Sequence, residues 1–232
     1  MVNEFYIAII ADVVKSKEIK ERMSFQAKLN NALFEINSTY KEEIASDFTI
    51  TLGDEFQGVL KSAKVLLDII YKIESHIYPV KLKVGVGIGE ITTLIDRTAS
   101  IGSDGPAYWS ARDALTILKT ERKLRDRSIY VEIYENYCDS SINANHINSY
   151  IALMELVKKG WKSKQNDLFN YINLNDMLTV DFKLFTLSNA LGTSEQNISK
   201  MLTRMDYATL NESRVSLHQY VEKVRRELCK KQ

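Results

Sequence analysis

The sequence has few of the residues that usually mark a metal site or a disulfide-rich protein. Only two cysteines, Cys138 and Cys229, occur in 232 residues, and they match neither a disulfide framework nor a cysteine metal site. The three histidines have no partners at ligand spacing. With 31 basic and 30 acidic residues the formal net charge is +1, so the chain as a whole is not built to seek nucleic acid. Any such partner must be met by a local patch.

Long apolar runs are missing as well. The longest, such as YIAII and VLLDII, are far too short to span a bilayer. The first residues, MVNEFYIAIIADVV, lack the basic flank and the small-residue cleavage site of a signal peptide. We therefore expect a cytoplasmic protein with no membrane partner. Hydrophobic residues still make up 45% of the chain, which is enough for one ordinary domain and a smaller one.

Periodicity predicts an α+β arrangement for the first part of the chain. FYIAII, residues 5–10, is apolar almost throughout, as expected of a strand buried on both faces. An amphipathic helix is predicted over about 21–40. FTITLGDEFQGVL, residues 48–60, is typical of two strands joined by a turn at Gly53. The full order, strand, helix, hairpin, helix, strand, helix, strand, predicts a mixed or antiparallel sheet covered by helices.

The composition changes after Tyr137. The stretch CDSSINANH is polar and has no apolar period, and everything beyond it is typical of helices. We therefore predict an α+β domain over 1–143 and an all-helical domain over 144–232. The helical part is mildly positive and the first part mildly negative.

Three carboxylates stand where strand ends can meet. Asp54 and Glu55 follow the hairpin glycine, and Asp12 follows the first strand. Hard cations such as Mg²⁺ take about two carboxylates together with substrate phosphates. The pattern therefore predicts a metal and phosphate corner, although a polar hairpin tip with one strand-end aspartate has the same composition.

These motifs resemble those of the class III nucleotidyl cyclases and the GGDEF-type diguanylate cyclases. In both families one aspartate follows the first strand and a second acid lies in the hairpin, as in IADVVKSK and LGDEF here. The resemblance implies a ferredoxin-like, nucleotide-cyclase-like sheet. It implies Mg²⁺ or Mn²⁺ held by Asp12, Asp54 and Glu55. It also implies a bound nucleotide, contacted by the backbone and side chains of Val13, Val14, Lys15 and Gly53.

Two further stretches carry the same resemblance. VGVGIGEIT, residues 84–92, places Gly85, Gly87 and Gly89 on one face of a strand, which weakens the strand unless a backbone or ligand comes close. GPAYWSARDAL resembles the cyclase segment whose asparagine and arginine hold ribose and phosphate. Arg112 falls on that arginine, which implies a catalytic and nucleotide-binding role, whereas Tyr108 replaces the asparagine.

The substrate-defining residues match less well than the metal pair. Ile50 takes the place of the base-reading lysine that many class III enzymes carry. Two alternatives therefore remain for this domain. It binds a nucleotide without cyclising it, or it is an active metal-dependent nucleotidyl cyclase.

The second half contains a helix-turn-helix pattern in LSNALGTSEQNISKMLTRM, residues 187–205. Thr193 with Gln196 predicts a capping box that starts the second helix after a glycine turn. Four exposed amide and basic side chains on that helix are expected to contact double-stranded DNA: Gln196, Asn197, Lys200 and Arg204. The same geometry also serves as a packing unit. A basic run elsewhere, KTERKLRDRS at 119–128, is more typical of a solvated helix end than of a nucleic-acid patch.

Taken together, the motifs resemble the SatD family of bacterial proteins over the full length. We expect a cytoplasmic regulator in which a cyclase-like domain binds a nucleotide with metal and a helix-turn-helix domain binds DNA. The cyclase resemblance also implies a homodimer. The alternatives are an active nucleotidyl cyclase whose helical tail mediates assembly, and a catalytically dead cyclase fold kept as a scaffold.

Overall fold

A computed structural model describes residues 4–138, 142–177 and 183–230. The five strands are β1 Phe5–Val13, β2 Ile44–Leu52, β3 Glu55–Leu60, β4 Leu82–Glu90 and β5 Ile129–Ile133. The helices of the first part are α1 Arg22–Thr39, α2 Leu66–Ile77 and α3 Pro106–Thr120. Those of the second part are α4 Asn145–Lys159, α5 Ser163–Leu174, α6 Leu184–Ala190, α7 Glu195–Arg204 and α8 Tyr207–Lys230.

The strands form one sheet in the order β2-β3-β1-β4-β5. Strand β1 is antiparallel to both of its neighbours, and β5 is parallel to β4. The first four strands, with α1 and α2 between them, have the ferredoxin-like order, and α3 is the crossover that leads to β5. The predicted α+β fold and the predicted order of its elements are confirmed.

Side chains of β1 alternate between two hydrophobic cores. Phe5, Ile7 and Ile9 belong to the larger core, which α1, α2 and α8 cover. Ala8 and Ile10 belong to a smaller core beneath α3. Because β1 is central in the sheet and buried on both faces, its sequence is a continuous apolar run, as predicted.

Helix α3 lies directly on the glycine face of β4. A Cβ added to Gly85 would stand 2.2 Å from the carbonyl oxygen of Ala111, and one added to Gly87 would stand 2.0 Å from that of Ala107. At Gly89 the backbone nitrogen of Ala107 would be 2.8 Å away. The predicted close approach is therefore made by the backbone of a helix.

Helix α8 attaches the second half of the chain to the sheet. Leu217, Val221 and Val224 are buried in the larger core, and Arg225 Nη1 donates a hydrogen bond of 2.6 Å to the carbonyl of Phe5. One hydrophobic core therefore contains residues of both parts. The division into 1–143 and 144–232 stays a prediction, and residues 139–141 of the polar stretch lie outside the described residues.

Two side chains of α8 satisfy backbone groups around the start of α2. The Nε2 atom of His218 accepts a hydrogen bond of 3.0 Å from the N–H of Leu67, and Glu222 Oε2 accepts one of 3.0 Å from the N–H of Ala63. Burial lowers the pKa of His218 to about 3, and the nearby positive charge of Arg214 acts in the same direction. The imidazole is therefore neutral and acts as an acceptor.

The close approach of α3 to β4 can be tested with Gly87→Ala. We expect the free energy of unfolding to fall by more than about 3 kcal/mol, because the added Cβ meets helix backbone that must move. Urea unfolding followed by circular dichroism measures the change. Gly160→Ala is the matched control, since its Cβ would meet only the Val157 carbonyl oxygen, at 3.7 Å. Wild-type stability in the Gly87 variant would contradict the described packing.

The neutral His218 predicts a stability that falls with acid. Its pKa is 6.5 when unfolded and about 3 when folded, so the unfolded chain binds more protons between these values. Its stabilisation is complete above pH 6.5, and about 2 kcal/mol of it is lost between pH 7 and pH 5. Urea unfolding across that range compares wild type with His218→Gln, whose amide can still accept from Leu67 but does not titrate. Parallel pH curves for the two proteins would refute the prediction.

Candidate functional site

The predicted corner lies where β1 ends and β3 begins. Asp12 and Glu55 are opposite residues in the ladder between these strands. Asp54 precedes Glu55 in the turn, and Gly53 has a positive φ of 64°, as the predicted hairpin requires. The carbonyl of Gly53 accepts a hydrogen bond of 3.2 Å from Gln26 Nε2, so the start of α1 supports the turn. The structure thus brings the three predicted carboxylates to one end of the sheet.

Two bases of α3 bind two of these carboxylates. Lys119 Nζ lies 2.8 Å from Asp12 Oδ2. Arg112 makes a bidentate pair with Glu55, with Nη1–Oε2 at 2.5 Å and Nη2–Oε1 at 2.9 Å. These hydrogen bonds raise the pKa of the Arg112 guanidinium. Because seven residues make about two helical turns, both bases lie on the face of α3 that meets the corner.

The corner does not fit a divalent metal ion in this arrangement. Asp12 and Glu55 are already neutralised by Lys119 and Arg112, so the charge that would attract Mg²⁺ is taken. In the ranges that the structure describes, no three His, Cys, Asp or Glu side chains are grouped to hold a metal. The predicted metal site of Asp12, Asp54 and Glu55 is therefore not assembled, because α3 supplies the positive charge instead.

The backbone predicted to cradle phosphates is used by the fold. The N–H of Val14 donates a hydrogen bond of 2.9 Å to the carbonyl of Lys81, and Val13 is buried in the larger core. Lys15 has a left-handed backbone, and its exposed ammonium lies 3.1 Å from Glu18. A phosphate at Val14 would have to displace the Lys81 carbonyl, whereas the ammonium of Lys15 lies on the surface, paired with Glu18.

Of the two positions that depart from the cyclase pattern, Tyr108 is buried and Ile50 is half-buried. Tyr108 is only 6% exposed, packs in the smaller core and donates a hydrogen bond of 3.3 Å to the Ser100 carbonyl. Ile50 is opposite Phe56 in the β2–β3 ladder and packs against the larger core. Neither side chain presents a polar group to a ribose or a base.

Sequence reasoning missed Lys119 as part of this corner, because it was assigned to the charged run at 119–128. Its spacing from Arg112 on a predicted helix was the available signal. The spacing shows that the two bases share one face of the helix, but not what this face meets. The contact of α3 with the glycine face of β4 turns the two bases toward the corner.

The second predicted surface lies on α7. Ile198 is fully buried, whereas Gln196, Asn197, Lys200 and Arg204 are all exposed. Within the described parts of the chain, Gln196, Lys200 and Arg204 make no side-chain hydrogen bond and no ion pair. The amide of Asn197 donates a hydrogen bond of 3.2 Å to the hydroxyl of Thr193. Helix α7 is thus anchored in the protein by Ile198, and its opposite face is exposed to solvent.

The cap of α7 differs from the predicted one. Gly192 has the positive φ of 61° that the turn requires, but the N-cap is Ser194, whose Oγ accepts a hydrogen bond of 3.3 Å from the N–H of Asn197. The predicted capping box of Thr193 with Gln196 is wrong by one residue, because the helix begins after Ser194 and the hydroxyl of Thr193 bonds the Asn197 side chain.

The family model for the SatD family matches residues 6–210. The chain belongs to the SatD family. None of the curated proteins compared with this SatD family member matches it. No helix of the described ranges is long and apolar enough to cross a membrane.

Several solved cyclase structures are similar to part of this SatD family member. One is the guanylyl cyclase domain of the RhoGC fusion protein from the aquatic fungus Blastocladiella emersonii, with 17% identity, 49% of this chain and 74% of that chain covered, and a TM-score of 0.38. Another is the guanylate cyclase domain of RhGC from Catenaria anguillulae in complex with GTP, with 16% identity, 47% and 71% covered, and a TM-score of 0.35. A bacterial light-regulated adenylyl cyclase has 14% identity, 55% and 75% covered, and a TM-score of 0.39.

Proposed function

We propose that this SatD family member is a transcriptional regulator that binds double-stranded DNA through α7. The observation that carries the proposal is the stripe formed by Gln196, Lys200 and Arg204. These side chains are exposed, unpaired within the described residues and spaced one helical turn apart. A glutamine amide can pair with an adenine edge and an arginine with a guanine edge. The side chains of Lys200 and Arg204 can also bind phosphates.

The support beneath α7 favours this role. The buried Ile198 anchors the inner face, Ser194 caps the first turn, and the positive φ of Gly192 makes the connection from α6 tight. A helix held in this way presents its outer side chains in fixed positions, which groove binding needs. We include a homodimer in the proposal, because two copies would place two such helices on two half-sites about 34 Å apart.

The variant Lys200→Ala with Arg204→Ala tests the DNA contact. We expect its affinity for a fluorescent duplex to fall about tenfold or more, and the slope of log affinity against log salt to decrease by about two. Fluorescence anisotropy between about 50 and 200 mM salt measures both quantities. Lys28→Ala with Lys41→Ala removes the same charge from exposed positions elsewhere and should behave as wild type. Absence of duplex binding by the wild type would disprove the proposal.

A second candidate function is nucleotide binding at the corner, favoured by the exposure of its two bases. Arg112 and Lys119 side chains are 48% and 42% exposed although both are paired. A triphosphate could take Arg112 from Glu55, because phosphate accepts the same bidentate hydrogen bonds as a carboxylate. An active cyclase would need metal ions, and the corner in its present arrangement does not fit them. A scaffold would need no ligand.

Calorimetric titration of ATP, GTP and cyclic dinucleotides separates these alternatives. For a nucleotide sensor we expect binding with and without Mn²⁺ or Mg²⁺, and a loss of about tenfold or more in Arg112→Gln, because one charge-assisted pair is removed. Lys28→Gln is the control. Binding that requires metal and disappears in Asp12→Asn would favour the active cyclase instead. No binding by the wild type would leave the corner as a structural cluster.

A further inference from the structure

Three segments far apart in sequence bring basic residues to one end of the sheet. Residues 14–20 contain three lysines and one glutamate, and residues 81–83 contain two lysines. Residues 119–127 contain five basic and two acidic residues. We call these three segments together the basic end. Its excess of positive charge contrasts with the near balance of the whole chain, where 31 basic residues face 30 acidic ones.

Hydrogen bonds join the three segments into one surface. The N–H of Val14 donates to the carbonyl of Lys81 at 2.9 Å, which ties the exit of β1 to the entry of β4. Lys83 Nζ donates to the carbonyls of Arg125, at 2.8 Å, and Arg127, which ties β4 to the loop before β5. The basic run that sequence analysis assigned to a solvated helix end is therefore part of a larger surface.

Much of this charge is uncompensated inside the protein. Lys15 pairs with Glu18, Lys119 with Asp12, Lys123 with Glu121 at 4.0 Å and Arg127 with Glu155. Five exposed bases have no ion pair within the described residues: Lys17, Lys20, Lys81, Arg122 and Arg125. Lys83 is half-buried and is not one of these five, and its pKa is lowered, first by burial, with Lys81 and Arg127 acting in the same direction. Such a surface is ready to accept an external polyanion.

We propose that the basic end binds the phosphate backbone of nucleic acid without regard to base sequence. The bases without ion pairs are spread over all three segments, which suits regularly spaced phosphates better than one small anion. None of the large exposed hydrophobic side chains lies in the three segments, so the surface has nothing to insert into a bilayer. The proposal uses no residue of α7, and the two can fail independently.

The triple variant Lys81→Gln, Arg122→Gln, Arg125→Gln removes three free charges and leaves the paired ones. We expect its affinity for a mixed-sequence duplex to fall about tenfold or more and its salt slope to decrease by about two to three, in fluorescence anisotropy with the full chain. Lys28→Gln, Lys41→Gln, Lys230→Gln is the matched control, because it removes equal charge from exposed positions elsewhere. Circular dichroism and thermal unfolding verify that both variants fold as wild type.

The α7 variant and anionic vesicles complete the comparison. A loss in the triple variant with none in the control supports the basic end, whether or not the Lys200→Ala, Arg204→Ala protein also loses affinity. Losses confined to the α7 variant would overturn this inference and leave the proposed function intact. Equal duplex binding by wild type and triple variant, with loss of vesicle binding in the triple variant, would overturn it in favour of a membrane surface.

Discussion

The close contact between α3 and the glycine face of β4 determines where the charged groups of the corner lie. Because backbone atoms of α3 occupy the space of the missing Cβ atoms at Gly85 and Gly87, the helix can neither rotate nor lift without losing that packing. Arg112 and Lys119 are carried by the same helix, two turns apart. Their positions over Glu55 and Asp12 follow from backbone packing rather than from the attraction of the charges alone.

This placement also resolves an electrostatic conflict within the sheet. Asp12 and Glu55 are direct cross-strand neighbours, and like charges in that relation repel. The two bases of α3 reduce this repulsion, because each of them pairs with one of the two carboxylates. Partly exposed pairs of this kind contribute only about 1 kcal/mol or less each. A phosphate that took Arg112 from Glu55 would leave Glu55 unpaired beside Asp12, so such an exchange would bring back the repulsion between the two strands.

Local sequence pattern predicted the elements but not how distant elements meet. The apolar run of β1, the turn at Gly53 and the glycine face of β4 depend on near neighbours or on burial, and these predictions held. The pairing of Lys119 with Asp12 depends on the rotation of α3, and the bond from Leu67 to His218 joins residues 151 positions apart. No periodicity reports such contacts. For the same reason the sequence did not show that bases of α3 pair with two of the carboxylates predicted to hold a metal.

The balanced composition of the chain conceals an uneven distribution of charge. Since the basic end holds ten basic and three acidic residues, the remainder of the chain carries a net negative charge. If the basic end binds a polyanion as proposed, the negative remainder of the chain would also restrict how the protein is oriented on it. The net charge of +1 excludes only an attraction of nucleic acid to the whole surface of the protein. A chain with this net charge can still bind DNA if the fold brings its basic side chains together on one surface. The fold does so where β1 ends and β4 begins.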